Sequence, residues 1–206
     1  MPDSHEPLEE GALLLREFVA VESQQLLEEV ERIAQVAPFR HLITPGGYRM
    51  SVAMTNCGRV GWVSDRRGYR YDPVDPETEL AWPEMPAVFL DVASRAAAAA
   101  GFTNYDPDAC LINRYVVGAR LSLHQDRDEN DRWSPIVSVS LGVPAIFLWG
   151  GKRRSDPVRR LPIENGTVVV WGGPARFVYH GVAPLRESQH PLTGSIRINL
   201  TFRKVF

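Results

Sequence analysis

The chain has 206 residues, 44% of them hydrophobic, a formal net charge of −2 and only two cysteines, Cys57 and Cys110. One domain with a substantial core is expected, and two cysteines without C-x-x-C spacing argue against a disulfide framework. No segment approaches the roughly 18 apolar residues of a membrane span, and MPDSHEPLEE lacks the basic start and apolar run of a signal peptide, so no membrane contact is expected; the chain is read as a cytoplasmic protein, expected to be a monomer.

In chain order, residues 1–31 hold nine acids and one arginine, which leaves the remainder of the chain net positive. Leucines and Val30 at helical spacing predict a first helix over about residues 21–36. Residues 44–73, rich in Gly, Tyr and Arg and without clear periodicity, are expected to form a long loop or hairpin region, and long loops in compact domains tend to be functional. Within it RVGWVSDRRGYR (59–70) carries four arginines against Asp65. A second helix is expected over about 84–100, closed by Gly101. After residue 109 nearly everything reads as strand: CLINRY, RLSLHQ, IVSVSLG, AIFLWG, TVVVWGG, FVYHGV and SIRINLTFR, separated by turn signals. Seven short strands at near-regular spacing suggest a barrel or jelly roll. A second basic cluster, KRRSDPVRR (152–160), sets five cations against Asp156; such clusters permit a nucleic-acid partner without demanding one.

Two of the strands carry chemistry. In RLSLHQDRDE, His124 and Asp126 share a strand face, Leu121 and Leu123 the other. With the distant His180 of FVYHG they make up the composition of a two-histidine, one-carboxylate iron triad. The alternative is a hydrogen-bonded surface pair and a satisfied semi-buried histidine. In RINLTFR, Arg197, Asn199, Thr201 and Arg203 share one face, and inward arginines are costly unless anions meet them. A small dicarboxylate would do so through charge-assisted, bidentate hydrogen bonds, with Asn113 and Tyr115 as further donors. Here the alternative is an edge strand with its arginines in solvent.

These residues, and the stretches TPGGYRMSVAMTNCG (44–58), WPEMP (82–86), PDACLINRY (107–115), LSLHQDRDE (121–129), PIVSVSLGVPAIF (135–147), VVVWGG (168–173) and NLTFR (199–203), resemble the AlkB family of Fe(II)- and 2-oxoglutarate-dependent dioxygenases, which repair alkylated nucleic-acid bases. The resemblance runs from about residue 11 and implies a mainly β protein with flanking helices (α+β), its double-stranded β-helix (jelly roll) core preceded by a nucleotide-recognition lid. It implies one dioxygenase domain over 1–206, with an N-terminal extension and helix (1–43), the lid (44–73) and the catalytic core (109–206). By the same resemblance His124, Asp126 and His180 are expected to bind Fe(II), and Asn113, Tyr115, Arg197, Asn199 and Arg203 to bind 2-oxoglutarate, with O2 as the other cosubstrate.

The implied reaction is oxidative demethylation of 1-methyladenine and 3-methylcytosine in DNA, preferably single-stranded, with double-stranded DNA and RNA as further candidates. These cationic bases cannot form their Watson-Crick pairs, which makes them cheap to extrude. The resemblance implies that Trp62 stacks on the base, Asp128 accepts from its exocyclic nitrogen, Tyr69 contacts phosphate, Met54 and Tyr48 line the pocket and Arg154 lies at its edge. Flanking Arg66, Arg67, Arg70 and Arg127 would attract phosphates irrespective of sequence. The simpler alternatives are a small core for Trp62 and Met54 and a loop cap for Asp128. Two other readings of the whole chain are an oxygenase acting on a protein side chain or small metabolite, and a jelly-roll binding module without metal.

Overall fold

A strand that packs on both faces lacks the alternation that marks an amphipathic strand and cannot be told from a buried helix segment by periodicity alone, and this fold is built mostly from such strands. The computed structural model describes residues 5–206. In chain order the elements are β1 (His5–Glu9), β2 (Ala12–Leu15), α1 (Ser23–Val36), β3 (Ala53–Gly58), β4 (Gly61–Asp65), β5 (Gly68–Asp72), α2 (Ala87–Ala99), β6 (Ala109–Tyr115), β7 (Leu121–His124), β8 (Ile136–Gly142), β9 (Ala145–Trp149), β10 (Arg159–Ile163), β11 (Val168–Trp171), β12 (His180–Val182) and β13 (Arg197–Arg203). A seven-stranded sheet, ordered β1-β2-β11-β8-β13-β6-β3, lies against a four-stranded sheet, β10-β9-β12-β7, and β4-β5 form a separate hairpin. This is the expected mainly β jelly-roll core with flanking helices. Among the described residues no helix is long and apolar enough to cross a membrane.

Two cores hold it together. On the outer face of the large sheet, Leu26, Val30 and Ile33 of α1 and Phe89, Val92 and Ala96 of α2 pack against Cys57, Cys110, Ile112, Val139, Leu200 and Phe202. Each fully buried Leu, Ile, Val or Phe contributes about 1.5–3 kcal/mol. The alanines of α2 let that helix approach the sheet closely. It ends where Gly101 turns left-handed at φ 87° and the Phe102 N–H reaches back to the Ala97 carbonyl, the capping that a C′ glycine permits. Between the sheets Leu14, Ile136, Phe147, Trp149, Val169 and Trp171 form the second core, which floors the site.

Two expectations need correction. Residues 44–73 are not one loop: β3 is the edge strand of the large sheet, paired to β6 in the register Cys57↔Cys110, and only the β4-β5 hairpin stands apart as a lid. Nor is the jelly roll confined to 109–206, because β1 and β2 of the N-terminal extension add to the large sheet beside β11. Both were obscured because β2 (Ala-Leu-Leu-Leu) and β3 (Ala-Met-Thr-Asn-Cys-Gly) are largely buried on both faces and lack alternation. For β13 the alternative of an edge strand with solvated arginines is excluded, and the expected inward-facing arginines are found. The strand lies between β8 and β6, and all seven of its residues are buried.

Candidate active site

The site lies between the sheets, in a cavity of about 700 Å³ open towards the lid. His180 opens β12 and is paired with His124, the last residue of β7. The pairing depends on Gly181, where a Cβ would sit 2.7 Å from the Leu121 carbonyl oxygen. Asp126 lies just past the end of β7 and not on the strand as expected, yet it turns back so that one ligand atom from each of His124, Asp126 and His180 falls within 4.8 Å of the others. Asp126 Oδ1 is 3.6 Å from His124 Nε2 and its Oδ2 is 3.8 Å from His180 Nε2.

The ring orientations are fixed from behind. Nδ1 of His124 faces the Ser122 carbonyl at 2.8 Å and Nδ1 of His180 faces the Val178 carbonyl at 3.0 Å. A carbonyl only accepts, so each Nδ1 carries a proton, and each ring has its Nε2 near Asp126. Burial, then the neighbouring His124, lowers the His180 pKa to about 3, so it is a neutral ligand at physiological pH. For Asp126 burial acts upwards, but Arg203, His180 and His124 together outweigh it and hold the carboxyl well below its usual range. Two imidazoles and one carboxylate on one side of a cavity fit a divalent iron with open coordination positions.

Behind the triad lies a cationic wall. Arg203 Nε and Nη2 donate to Asp126 Oδ2 at 3.1 and 2.9 Å, and Arg203 also pairs with Glu129 at 3.2 Å. Arg197 is 1% exposed and donates from Nη2 to Ser140 Oγ at 2.9 Å, while its Nε and Nη1 have no protein partner and its guanidinium lies 4.7 Å from the Tyr115 ring centroid. A buried cation with two unmet N–H groups fits the carboxylate of a small diacid. Asn113 donates to Asn199 Oδ1, which also accepts from Thr201; Asn199 in turn donates to Ser138 and to the Val139 carbonyl. Its amide is engaged by protein, so Asn199 orients Asn113, whose Oδ1 is left without a partner.

The lid closes the other side. Trp62 on β4 and Tyr71 on β5 are cross-strand partners, and each donates to a carboxylate of the metal-bearing segment. Trp62 Nε1 reaches Asp128 Oδ2 at 2.8 Å and Tyr71 Oη reaches Glu129 Oε1 at 2.5 Å. Burial raises the Tyr71 pKa well above its ordinary value, so it remains a donor. Asn56 grips Trp62 through both backbone groups, and Tyr69 stacks on Trp62 with ring centroids 5.4 Å apart and 14° between planes.

Of the expected substrate residues, Trp62, Tyr69, Asp128, Met54 and Tyr48 line the cavity. Met54 does so from the rigid β3, and Tyr48 is exposed at the mouth. Arg154 is not among the lining residues; its guanidinium lies 6.0 Å from the Tyr179 ring centroid. The loop cap considered for Asp128 is supplied by Asp131, which accepts from the Trp133 and Ser134 N–H groups. Missed from the sequence were Ser138 and Ser140, Glu129, and Arg176, which bonds both the Asp126 carbonyl and Glu129. The i, i+2 serines of VSVSLG were a readable signal for the first pair; nothing local marks Arg176.

The family model described as the 2OG-Fe(II) oxygenase superfamily matches residues 11–203. The "Alpha-ketoglutarate-dependent dioxygenase AlkB" of Escherichia coli (strain K12) is 56% identical over 199 residues, 97% of this chain and 92% of that protein. The chain belongs to the AlkB family. It is accordingly an Fe(II)- and 2-oxoglutarate-dependent dioxygenase. Another relative, the "Nucleic acid dioxygenase ALKBH1" of Mus musculus, is 30% identical over 133 residues, covering 65% of this chain and 33% of its own. The solved structure of OsALKBH1 superposes with a TM-score of 0.86 at 27% identity, covering 97% of this AlkB-family chain and 99% of that one.

Proposed function

We propose that the enzyme removes methyl groups from 1-methyladenine and 3-methylcytosine in DNA, preferably single-stranded, with double-stranded DNA and RNA as further substrates. The observation that carries this reading is the lid: an indole hydrogen-bonded to a carboxylate, both lining the cavity that holds His124 and His180. A cationic base stacked on Trp62 gains cation-π attraction of up to about 2 kcal/mol when desolvated. Asp128 accepts from its exocyclic amine and offsets its charge, and Tyr69 meets a phosphate. Kinship to proteins named AlkB and to one named a nucleic acid dioxygenase supports the same substrate class.

His124, Asp126 and His180 would hold the iron. Arg197 takes the remote carboxylate of 2-oxoglutarate, with Tyr115 and Asn113 beside it. Arg203 keeps Asp126 ionised and oriented. With iron bound, the site couples O2 activation and oxidative decarboxylation of 2-oxoglutarate to hydroxylation of the N-methyl group, releasing formaldehyde, succinate and CO2. Phe147, Trp171 and Leu121 form apolar walls that keep water from the reacting group. A protein side chain or small metabolite would leave the paired Trp62 and Asp128 without a role. The decisive test is mass spectrometry of a single-stranded oligomer bearing one 1-methyladenine, incubated with Fe(II), 2-oxoglutarate, ascorbate and air. Loss of one methylene's mass that requires 2-oxoglutarate is expected; succinate formation with an unchanged oligomer would move the substrate elsewhere.

A further inference from the structure

His180 is walled by aromatic rings to a degree that packing does not require. Trp171 of β11 lies 4.7 Å from it centroid to centroid, Phe147 of β9 lies at 6.0 Å, and Trp149 is its direct cross-strand partner in the β12-β9 ladder. Trp149 and Trp171 meet edge to face at 6.1 Å. Both indoles are essentially fully buried, yet the Trp171 Nε1–H has no partner, a cost that a phenylalanine would avoid. The Trp149 Nε1–H donates at 2.9 Å to the carboxylate of Glu9, an exposed residue on the edge strand β1. An unbroken run of easily oxidised rings therefore connects a metal-ligand imidazole to a proton acceptor at the surface.

We propose that Trp171 and Trp149 are an electron-transfer exit, which drains oxidising equivalents from the iron site when O2 has been activated with no alkylated base in the cavity. The inference rests on the dioxygenase reading of that site. One electron passes from Trp171 to the oxidised metal centre and one from Trp149 refills Trp171; a second passage of the same kind, with two protons taken from solvent in all, returns the metal to Fe(II) and releases the activated oxygen atom as water. The Trp149 radical cation then loses its Nε1 proton along the existing hydrogen bond to Glu9. Ascorbate, or another one-electron donor in solution, returns one electron to Trp149 while Glu9 returns the proton, so no bond of the protein is altered at the end. Phenylalanine at either position would stop the chain, because a benzene ring is far harder to oxidise than an indole.

The test follows the protein loaded with Fe(II) and 2-oxoglutarate, without nucleic acid, after mixing with O2. Freeze-quench electron paramagnetic resonance and visible absorption detect tryptophanyl radicals, succinate counts turnovers, and peptide mass spectrometry locates covalent oxidation. The wild-type protein should show a transient neutral tryptophanyl radical. Trp149→Phe should lose that signal, survive severalfold fewer unproductive turnovers and accumulate oxidation around the cavity, while methylated DNA is still processed at the wild-type rate. Glu9→Gln, a change on an exposed side chain, should shift the spectrum from the neutral radical to the radical cation. Unchanged radical yield and unchanged survival in both variants would overturn the exit while leaving the dioxygenase reading intact. Absence of succinate from the wild-type mixture would remove the dioxygenase reading, and the exit with it.

Discussion

Replacing Arg197 by methionine should abolish 2-oxoglutarate binding without weakening the free protein. The guanidinium is 1% exposed and pairs with no carboxylate among the described residues; its Nη2 bonds Ser140, and Nε and Nη1 are unmet. Burial pulls its pKa below the usual range, the mark of an uncompensated cation. Hydrogen bonds to charged groups contribute about 1.5–3 kcal/mol each. Loss of the two that Nε and Nη1 would make to a carboxylate therefore costs about 3–6 kcal/mol, or a factor of ~10² to 10⁴ in affinity. In the free protein, removing a buried unpaired charge offsets loss of the Ser140 bond and of the cation-π contact with Tyr115, so Arg197→Met should unfold at or above the wild-type temperature. The assay is thermal unfolding with Mn(II) in place of iron to prevent turnover. At ~100 times Kd, 2-oxoglutarate stabilises the wild type by about 2.7 kcal/mol. In a domain of this size that raises Tm by ~5–10 °C. Arg197→Met should show no such rise. A retained rise, or a free variant destabilised by more than ~2 kcal/mol, would refute the assignment of Arg197 as an anion site awaiting its partner.

Asp126→Ala should lose metal binding and all turnover, whereas Asp128→Ala should bind metal normally and fail selectively on alkylated DNA; equilibrium dialysis beside the demethylation assay separates them, and equal metal loss in both would contradict the division. Trp62→Ala removes a stacking surface for which about 1–3 kcal/mol per base is typical, so KM for a methylated oligomer should rise by ~5- to 150-fold with the KM for 2-oxoglutarate unchanged. Tyr71→Phe deletes one hydroxyl that holds the lid to Glu129, a charged-group bond of about 1.5–3 kcal/mol, and amide exchange over 61–72 should accelerate by ~10- to 150-fold in hydrogen-exchange mass spectrometry. Arg67 is tied to Asp65 at 3.0 Å, while Arg66 and Arg127 form no ion pair among the described residues. Arg66→Ala with Arg127→Ala should therefore flatten the salt dependence of single-strand binding by ~0.7 for each phosphate left without its arginine, with Arg67→Ala flattening it less.

The sequence alone was enough for the elements whose pattern has a local cause. Both helices lie within a few residues of their expected spans, because their apolar spacing and the closing glycine are local signals. Seven of the eight strands from residue 109 onward were legible from β-branched runs broken by turn residues. The composition of the His124, Asp126 and His180 cluster was legible too, and polar groups on an otherwise inward-facing strand, such as Arg197 and Asn199 on β13, stand out against the burial their neighbours demand.

What stayed hidden has a common cause. β2 and β3 are buried on both faces and show no period; β10, with Arg159, Arg160 and Pro162, reads as a basic loop and becomes a strand only because β9 supplies its partners. That Asn199 serves Asn113, that Glu129 ties the lid's Tyr71 to Arg203, and that Trp149 reaches Glu9 are contacts between residues 86, 58 and 140 positions apart in the first, second and third of these pairings. Side-chain chemistry determines which partners a residue can accept. Only the closing of the two sheets decides which of them arrives within hydrogen-bonding distance, because that choice is set by strand order and register, which no local stretch of sequence encodes.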